Sequence, residues 1–407
     1  MTEPEYKFKK LTAFIFCCYL VWAFFGIDLT INGSGAERLP LHRVFLLITA
    51  FVFLCNFRVG WEVFLRNKLL VVLIVYVLLS ALWSGDPKEV AKIFVFLMLG
   101  FFISIVMAIA YRDDFKSLIR LLFWLSFLMI GSSIVVALFF PKYGVNASSF
   151  QKTRWIGITD HPNRLGEIVL IAVWASVNLF FLTKFKIEKV LSILLLIASA
   201  ITVVKADSMT SIVASLFIIG HLVYIKLITK RSMPFKIILF GLAIFLIAIL
   251  TTFYMSSNEI VNNSLASTGR DSTLTGRSTL WEKGLKSFAE HPLTGEGFDD
   301  LEHLTLKYHI RMSHLHNGYI EILVKGGFIA ALLLVLMLVS KVKDQVVISK
   351  YDESFYAIIA TGTFGVLVHN LAESSLLRGM NGLNLFLMLM LASTSVKLHD
   401  VKKYPVV

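Results

Sequence analysis

Residues 90–110 read VAKIFVFLMLGFFISIVMAIA. Only Lys92 carries charge in that run, and its length matches the roughly 20 residues a helix needs to cross about 30 Å of hydrocarbon. No water reaches the middle of a bilayer, so each backbone N–H and C=O there must bond within its own segment. That requirement predicts a helix. Runs of the same kind occur at 11–27, 41–57, 69–84, 118–140, 165–183, 190–204, 210–228, 235–254, 318–340, 355–371 and 383–397. Together they predict an all-α polytopic membrane protein with about 12 transmembrane helices, in which 1–407 form a single integral-membrane domain.

Composition agrees. Hydrophobic types make up 57% of the 407 residues and charged types 16%, against about 45–50% and about 25% in soluble domains. The excess excludes a soluble enzyme, a disordered chain and a nucleic-acid-binding domain. The net charge of +12 is no sign of nucleic acid, because its distribution follows membrane topology. Clusters such as Lys7, Lys9 and Lys10; Arg112, Lys116 and Arg120; Lys184, Lys186 and Lys189; and Lys341, Lys343 and Lys350 fall on alternate connections. Positive charge marks the cytoplasmic side, so both termini are expected inside. Lys7–Lys10 lead into a retained first helix rather than a cleaved signal. Cys17, Cys18 and Cys55 lie within apolar runs, without metal-ligand spacing.

Two long connections, 141–164 and 255–317, fall on the external side, the second between spans 9 and 10. Loops of this length are usually functional. In the second, residues 279–290 read as an amphipathic helix. Thr279 and Glu282 have capping-box spacing, and Leu280, Trp281, Gly284, Leu285 and Phe288 share one face. Arg277, just before its first turn, can hold an anion together with the free N–H groups of the helix start; pairing with Asp271 or a headgroup is the plainer reading. The helix stops at His291-Pro292, and Gly295 and Gly297 permit a tight turn. The segment His314-Leu315-His316-Asn317-Gly318-Tyr319-Ile320-Glu321 then enters a span. With a helix starting near Leu315, Asn317 and Glu321 share a face with Lys325 one turn deeper. His316 at the rim is suited to act as a base, or is an interfacial histidine bonded to a backbone carbonyl. Asp299, Asp300, Glu302 and His303 read as a solvated acidic turn.

The first loop gathers Arg154, His161, Asn163 and Arg164. Near later external turns stand Lys205, Asp207, Ser208, His369, Asn370, Glu373, Arg378 and Asn381. Ionisable groups at membrane depth cost several kcal/mol unless paired or hydrated, and here they concentrate on one side. This predicts an external polar cavity with cationic walls, suited to an anionic substrate reached from the bilayer. A transporter or flippase for lipid-linked sugars remains the alternative. Against it stand the short 184–189 link between the halves and the one-sided polar groups.

Gly276-Arg277-Ser278-Thr279-Leu280-Trp281, His291-Pro292-Leu293-Thr294-Gly295-Glu296-Gly297-Phe298 and His314-Leu315-His316-Asn317-Gly318-Tyr319-Ile320-Glu321 together resemble the O-antigen ligase and polymerase superfamily. So do Trp155-x-Gly157-x3-His161-x-Asn163-x-Leu165-Gly166 and Glu373-Ser374-x-Leu376-Leu377. The resemblance implies a bacterial inner-membrane glycosyltransferase with its active site facing the periplasm. It implies an undecaprenyl-diphosphate-linked glycan donor, a glycan or lipid A-core acceptor, and no cofactor or metal. His316 and Arg277 are then the catalytic candidates. Arg154, His161, Asn163, Arg164, Lys205, Trp281, His314, Asn317, Glu321, Glu373 and Arg378 are the substrate-binding candidates. Two features depart from the family pattern: Met209 follows Ser208 where a basic residue is frequent, and Ala330 stands where a second glycine is common after Gly327. Ligase and polymerase both remain open, as does the idea that Lys205 replaces the missing charge.

Overall fold

The computed structural model describes residues 8–25, 41–147, 153–225, 277–309, 314–379 and 381–403. The expected span at 235–254, residue Gly276 and the proposed Asp271 partner lie outside these. The described elements are α1 (Lys9–Phe25), α2 (Leu41–Cys55), α3 (Phe57–Arg66), α4 (Lys68–Leu79), α5 (Pro87–Ala110), α6 (Phe115–Phe139), the single turn α7 (Pro141–Gly144), β1 (Val145–Ala147), β2 (Thr153–Trp155), α8 (Pro162–Leu182), α9 (Lys186–Lys205), α10 (Met209–Val223), α11 (Arg277–Glu290), α12 (Glu302–Tyr308), α13 (Gly318–Ser349), α14 (Glu353–His369) and α15 (Gly382–Lys403). Among the described residues, six helices are long and apolar enough to cross a membrane: α5, α6, α8, α9, α13 and α15. The bent pair α2–α3 raises this to seven when taken as one span. The protein is therefore all-α and multi-pass.

Local chemistry sets the helix starts. The Asp86 carboxylate accepts from Lys88 N and Glu89 N, with Pro87 in the first turn of α5. Asp114 accepts from Ser117 N at α6 and Asp352 from Phe355 N at α14. His161 caps α8, where Pro162 again opens the helix. The windows of α8 and α15 are 83% and 89% buried, against 28% for α9. The first two therefore form the centre of the bundle, while α9 turns Ile193, Ile197 and Ile201 outward, the place for lipid. α8 meets α10 through small residues: a Cβ at Gly166 would overlap Ser211 Oγ, so glycine is what allows the approach.

The segment 141–164, expected as the first long external loop, is not a plain loop. β1 and β2 pair antiparallel, Val145 opposite Trp155 and Asn146 opposite Arg154, which fixes where Arg154 points from.

α13 is interrupted at Gly327, with φ 63° and ψ −164°, a region open essentially to glycine. The turn after α11 fills the break. Phe328 N donates to Pro292 O at 2.8 Å and Ile329 N to Leu293 O at 3.2 Å; Glu296 N donates to Val324 O and Gly297 N to Lys325 O, both at 2.8 Å. The Tyr76 hydroxyl donates to Gly326 O at 2.9 Å. Thus the Pro292–Gly297 stretch supplies the hydrogen bonds that a broken helix at this depth would otherwise lack. A Cβ at Gly327 would overlap the Leu293 carbonyl. Gly327→Ala should therefore lose at least about 1–3 kcal/mol from the forced backbone, and the clash adds to it. Thermal unfolding of the purified variant should show a clearly lowered midpoint; an unchanged midpoint would mean that the break is not needed.

Three expectations are corrected. α13 starts at Gly318 rather than near Leu315, because Asn317 Oδ1 accepts from Tyr319 N and Ile320 N and ends the extended approach there. α11 already includes Arg277, so Thr279 sits inside the helix instead of capping it; on its buried side Ser287, bonded to Glu296, replaces the exposed Leu285. Asp299 is buried rather than solvated: it accepts from Ser84 Oγ at 2.7 Å and from the Leu301 amide at 2.8 Å, joining the turn to the start of α5.

Candidate active site

The elements α8, α10, α11 and α13 begin, and α9 and α14 end, at one end of the bundle. There a single carboxylate collects the candidate residues. Glu373, in the turn between α14 and α15, accepts at Oε1 from Arg277 Nη2 at 2.8 Å and from Asn163 Nδ2 at 2.6 Å. Its Oε2 lies 3.1 Å from His316 Nδ1. Arg277 also donates through Nη1 to Ala372 O at 2.7 Å. Asn163 in turn accepts from Arg154 Nη2 at 3.2 Å, and Arg154 donates to the carbonyls of Ala206 at 2.9 Å and Asp207 at 3.0 Å.

Burial opposes ionisation of Glu373, but the hydrogen bond from His316 and the charges of His316 and Arg277 outweigh it, and its carboxyl titrates below the ordinary value. An ionised carboxylate only accepts. The 3.1 Å contact therefore makes Nδ1 the donor, and in the neutral imidazole that leaves the lone pair of Nε2 free.

His316 has φ 49°, a left-handed conformation that costs about 1–3 kcal/mol and persists only where neighbours enforce it. They do so on both sides. Trp281 Nε1 donates to Leu315 O at 2.8 Å, and the Leu315 amide donates to Glu321 Oε2 at 3.1 Å. Asn317 Nδ2 donates to Leu371 O at 2.9 Å, while the Gly318 amide donates to Asn370 O and Glu373 O. A Cβ at Gly318 would overlap Asn370 Oδ1, so glycine lets the two turns meet. Leu315 itself packs with Leu301, Leu304 and Val324 in a small core beneath α11 and α12.

Other candidates take different places. Trp281, Asn317 and Glu321 hold the His316 backbone, and Glu321 pairs with Lys325 at 3.1 Å. The His314 ring stands edge-on to His316, centroids 4.2 Å apart; burial and the nearby Arg378 and His316 push it down to about 4, so it is neutral at neutral pH. His161 Nδ1 accepts from the Asn163 amide, and burial together with Arg154 lowers its titration. Arg164 makes a surface pair with Asp160 at 2.9 Å. Lys205 is exposed at the end of α9, before the turn whose Ala206 carbonyl Arg154 binds, with no bond to a described residue. Arg378 is half-buried, with a 3.4 Å contact to Ser374 O. Of five N–H donors each, Arg154 commits three to the protein and Arg277 two, while Arg378 makes only the 3.4 Å contact to Ser374 O among the described residues.

Sequence reasoning missed a second buried pair. Glu167, one helical turn into α8, accepts from Asn381 Nδ2 at 3.2 Å. A carboxylate inside an apolar run was the available signal. The sequence reading counts His369 among the polar groups near the later turns and gives it no partner there; its Nε2 lies 3.3 Å from Ser211 Oγ. Among the described residues, Glu290, His291 and Glu296 are close enough together to hold a metal ion, but Lys307 already occupies Glu290 and Ser287 occupies Glu296, at the far end of α11 from Arg277.

The fold and this cluster define a multi-pass helical membrane protein with a carboxylate-linked arginine and histidine at one end of its bundle. The sequence family described as O-Antigen ligase matches residues 193–335, from α9 into α13, including Arg277, Trp281, His314, His316 and Glu321. The chain is 29% identical over 155 residues to the exopolysaccharide production protein ExoQ of Rhizobium meliloti (strain 1021), a match covering 35% of each protein. It thus spans about a third of that relative's length. Both findings support the resemblance to the O-antigen ligase and polymerase superfamily. The Arg154, Asn163 and Glu373 side of the cluster lies outside the 193–335 match.

Proposed function

We propose that the protein transfers or polymerises glycans from an undecaprenyl-diphosphate-linked donor, with inversion and without a metal, at the periplasmic face of the inner membrane. The observation that carries this reading is the Glu373 carboxylate, which holds Arg277 and His316 against its two oxygens. Support for the face comes from the alternating Lys and Arg clusters. Between a lipid acceptor and a growing glycan, similarity to an exopolysaccharide production protein favours the second.

In the reaction, the acceptor hydroxyl oxygen attacks the anomeric carbon while the bond from that carbon to the diphosphate oxygen breaks. The bonding electrons leave with the diphosphate. His316 Nε2 takes the hydroxyl proton, and Glu373 steadies the positive ring that results. Arg277 meets the charge developing on the leaving diphosphate. Arg378, with most donors uncommitted, is the second cation for that anion; Arg154 acts mainly by fixing Asn163 and the 206–207 turn. Trp281 and Asn317 position the histidine. His161, Arg164, Lys205 and His314 line the approach.

Reconstituted proteoliposomes with purified carrier-linked donor test this. Release of undecaprenyl diphosphate with lengthening of the glycan is expected. Arg277→Lys keeps the charge but loses the fork that reaches both Ala372 O and Glu373. Losing one charge-assisted hydrogen bond should lower turnover about 10-fold or more. Donor that crosses the bilayer chemically unchanged would identify a transporter instead.

A further inference from the structure

At the other end of α6 from the β-hairpin lies a groove that the transfer chemistry does not use. α6 has 25 residues, which at ~1.5 Å per residue separates its ends by about 38 Å. The groove runs between the Lys9–Cys17 part of α1 and the Tyr111–Leu121 stretch that enters α6, and Tyr111 forms its floor. Its volume is about 500 Å³, and Lys9, Lys10, Ala13, Phe14, Cys17, Tyr111 and Leu121 line it. Sites for small molecules commonly measure about 300–1,000 Å³. Away from the lysines the lining, Ala13, Phe14, Cys17 and Leu121, is apolar, and Phe14 is 65% exposed. The two lysines stand at one end only.

Neighbouring charges are mainly taken up by other partners, although Asp114 lies close enough to Lys9 to feel its charge. Arg112 pairs with Asp113 at 3.3 Å and Arg120 with Glu188 at 2.7 Å. Asp114 accepts from the Ser117 amide and hydroxyl at the start of α6. The Lys9 ammonium lies 4.5 Å from the Tyr111 ring centroid, which holds it over the floor. Neither lysine makes an ion pair with a described residue.

We propose that this groove is a binding site for one anionic phospholipid, its phosphate between Lys9 and Lys10 and an acyl chain along Phe14, Cys17 and Leu121. The apolar wall alone would accept any acyl chain. The paired lysines select for net negative charge, since basic pockets between helices at a membrane surface bind anionic head groups. Each lysine contributes roughly fivefold toward an anionic lipid, so the pair should favour it on the order of 10–30-fold. The site is independent of glycan transfer.

Native mass spectrometry of the purified full chain with added 1-palmitoyl-2-oleoyl phosphatidylglycerol or the matching phosphatidylcholine measures this. One phosphatidylglycerol should be retained at concentrations about 10-fold below those needed for phosphatidylcholine. Lys9→Ala with Lys10→Ala should erase that preference. Ala13→Phe should block both lipids while keeping the charges. In a Cys18→Ser, Cys55→Ser background, phosphatidylglycerol should slow alkylation of Cys17, and inorganic phosphate should not. A preference that survives the lysine changes, or Cys17 labelling indifferent to phosphatidylglycerol or equally slowed by phosphate, would overturn the proposal.

Discussion

Replacing His316 by Ala is expected to lower transfer from a carrier-linked donor about 10²–10⁴-fold, the usual contribution of a positioned general base. The expectation rests on one nitrogen. Nδ1 lies 3.1 Å from the Glu373 carboxylate, so Nε2 is the basic atom. The residue is also half-buried and sits at φ 49°, so a lost side chain could disturb the backbone as well as the chemistry. His316→Asn separates the two effects. Asparagine tolerates the left-handed conformation and can still donate to Glu373, but it has no basic nitrogen. His316→Asn should keep near wild-type melting, and both variants should lose transfer activity to the same extent. Surface polysaccharide in cells and diphosphate release in vesicles give the readout. A wild-type polymer in cells carrying His316→Asn would remove the base from the mechanism.

Six long helices, at the expected spans 90–110, 118–140, 165–183, 190–204, 318–340 and 383–397, were legible in sequence for a simple reason: an apolar run reports burial in lipid without reference to any partner. The run at 90–110 became Pro87–Ala110, extended only by the Asp86 and Pro87 start. What failed was whatever depended on a distant partner. The break at Gly327 looks like a glycine in an apolar run, because the strand of chain that completes it, Pro292–Gly297, lies on another element. Three-residue strands such as Val145–Ala147 are too short for alternation to register. Asp299 read as solvated because its partner Ser84 is 215 residues away.

The candidate site followed the same rule. Residue types at the helix ends suggested arginine, histidine and carboxylate chemistry, and the structure brings Arg277, His316, Asn163, Arg154 and Glu373 into one chain of contacts. The order of that chain was not legible. Glu373 stood as one polar group among several near a turn, yet it joins partners 57, 96 and 210 residues away. Asn317 and Trp281 had the right address and a different task, since their polar atoms hold backbone on either side of His316.

Glu373→Gln should be nearly as damaging as loss of the histidine, although it removes no atom from the ring. A carboxylate accepts at both oxygens, matching donors from Arg277 and Asn163 on one side and His316 on the other. An amide offers one acceptor and one donor. Its oxygen stays with Arg277 and Asn163, because the flipped amide would set its N–H groups against two donors. The amide nitrogen then faces His316 Nδ1 and donates to it, which moves the ring proton to Nε2 and blocks the base. The same tautomer error costs about 10⁴ in Ser-His-Asp enzymes, so a fall of about 10³–10⁴-fold is expected here. Nitrogen-15 spectra of His316 should show protonated Nδ1 in the wild type and protonated Nε2 in the variant, a change that a merely structural role would not produce. The stability effect has a definite pH window. Because the folded carboxyl titrates below its ordinary value of 4.5, its ionised form stabilises the protein above that pH, and the benefit disappears as pH falls through the lower folded value. The melting advantage of wild type over Glu373→Gln should thus be full near neutrality and vanish in strong acid. Turnover within threefold of wild type, or an unprotonated Nε2 in the variant, would show that Glu373 does not set the state of His316.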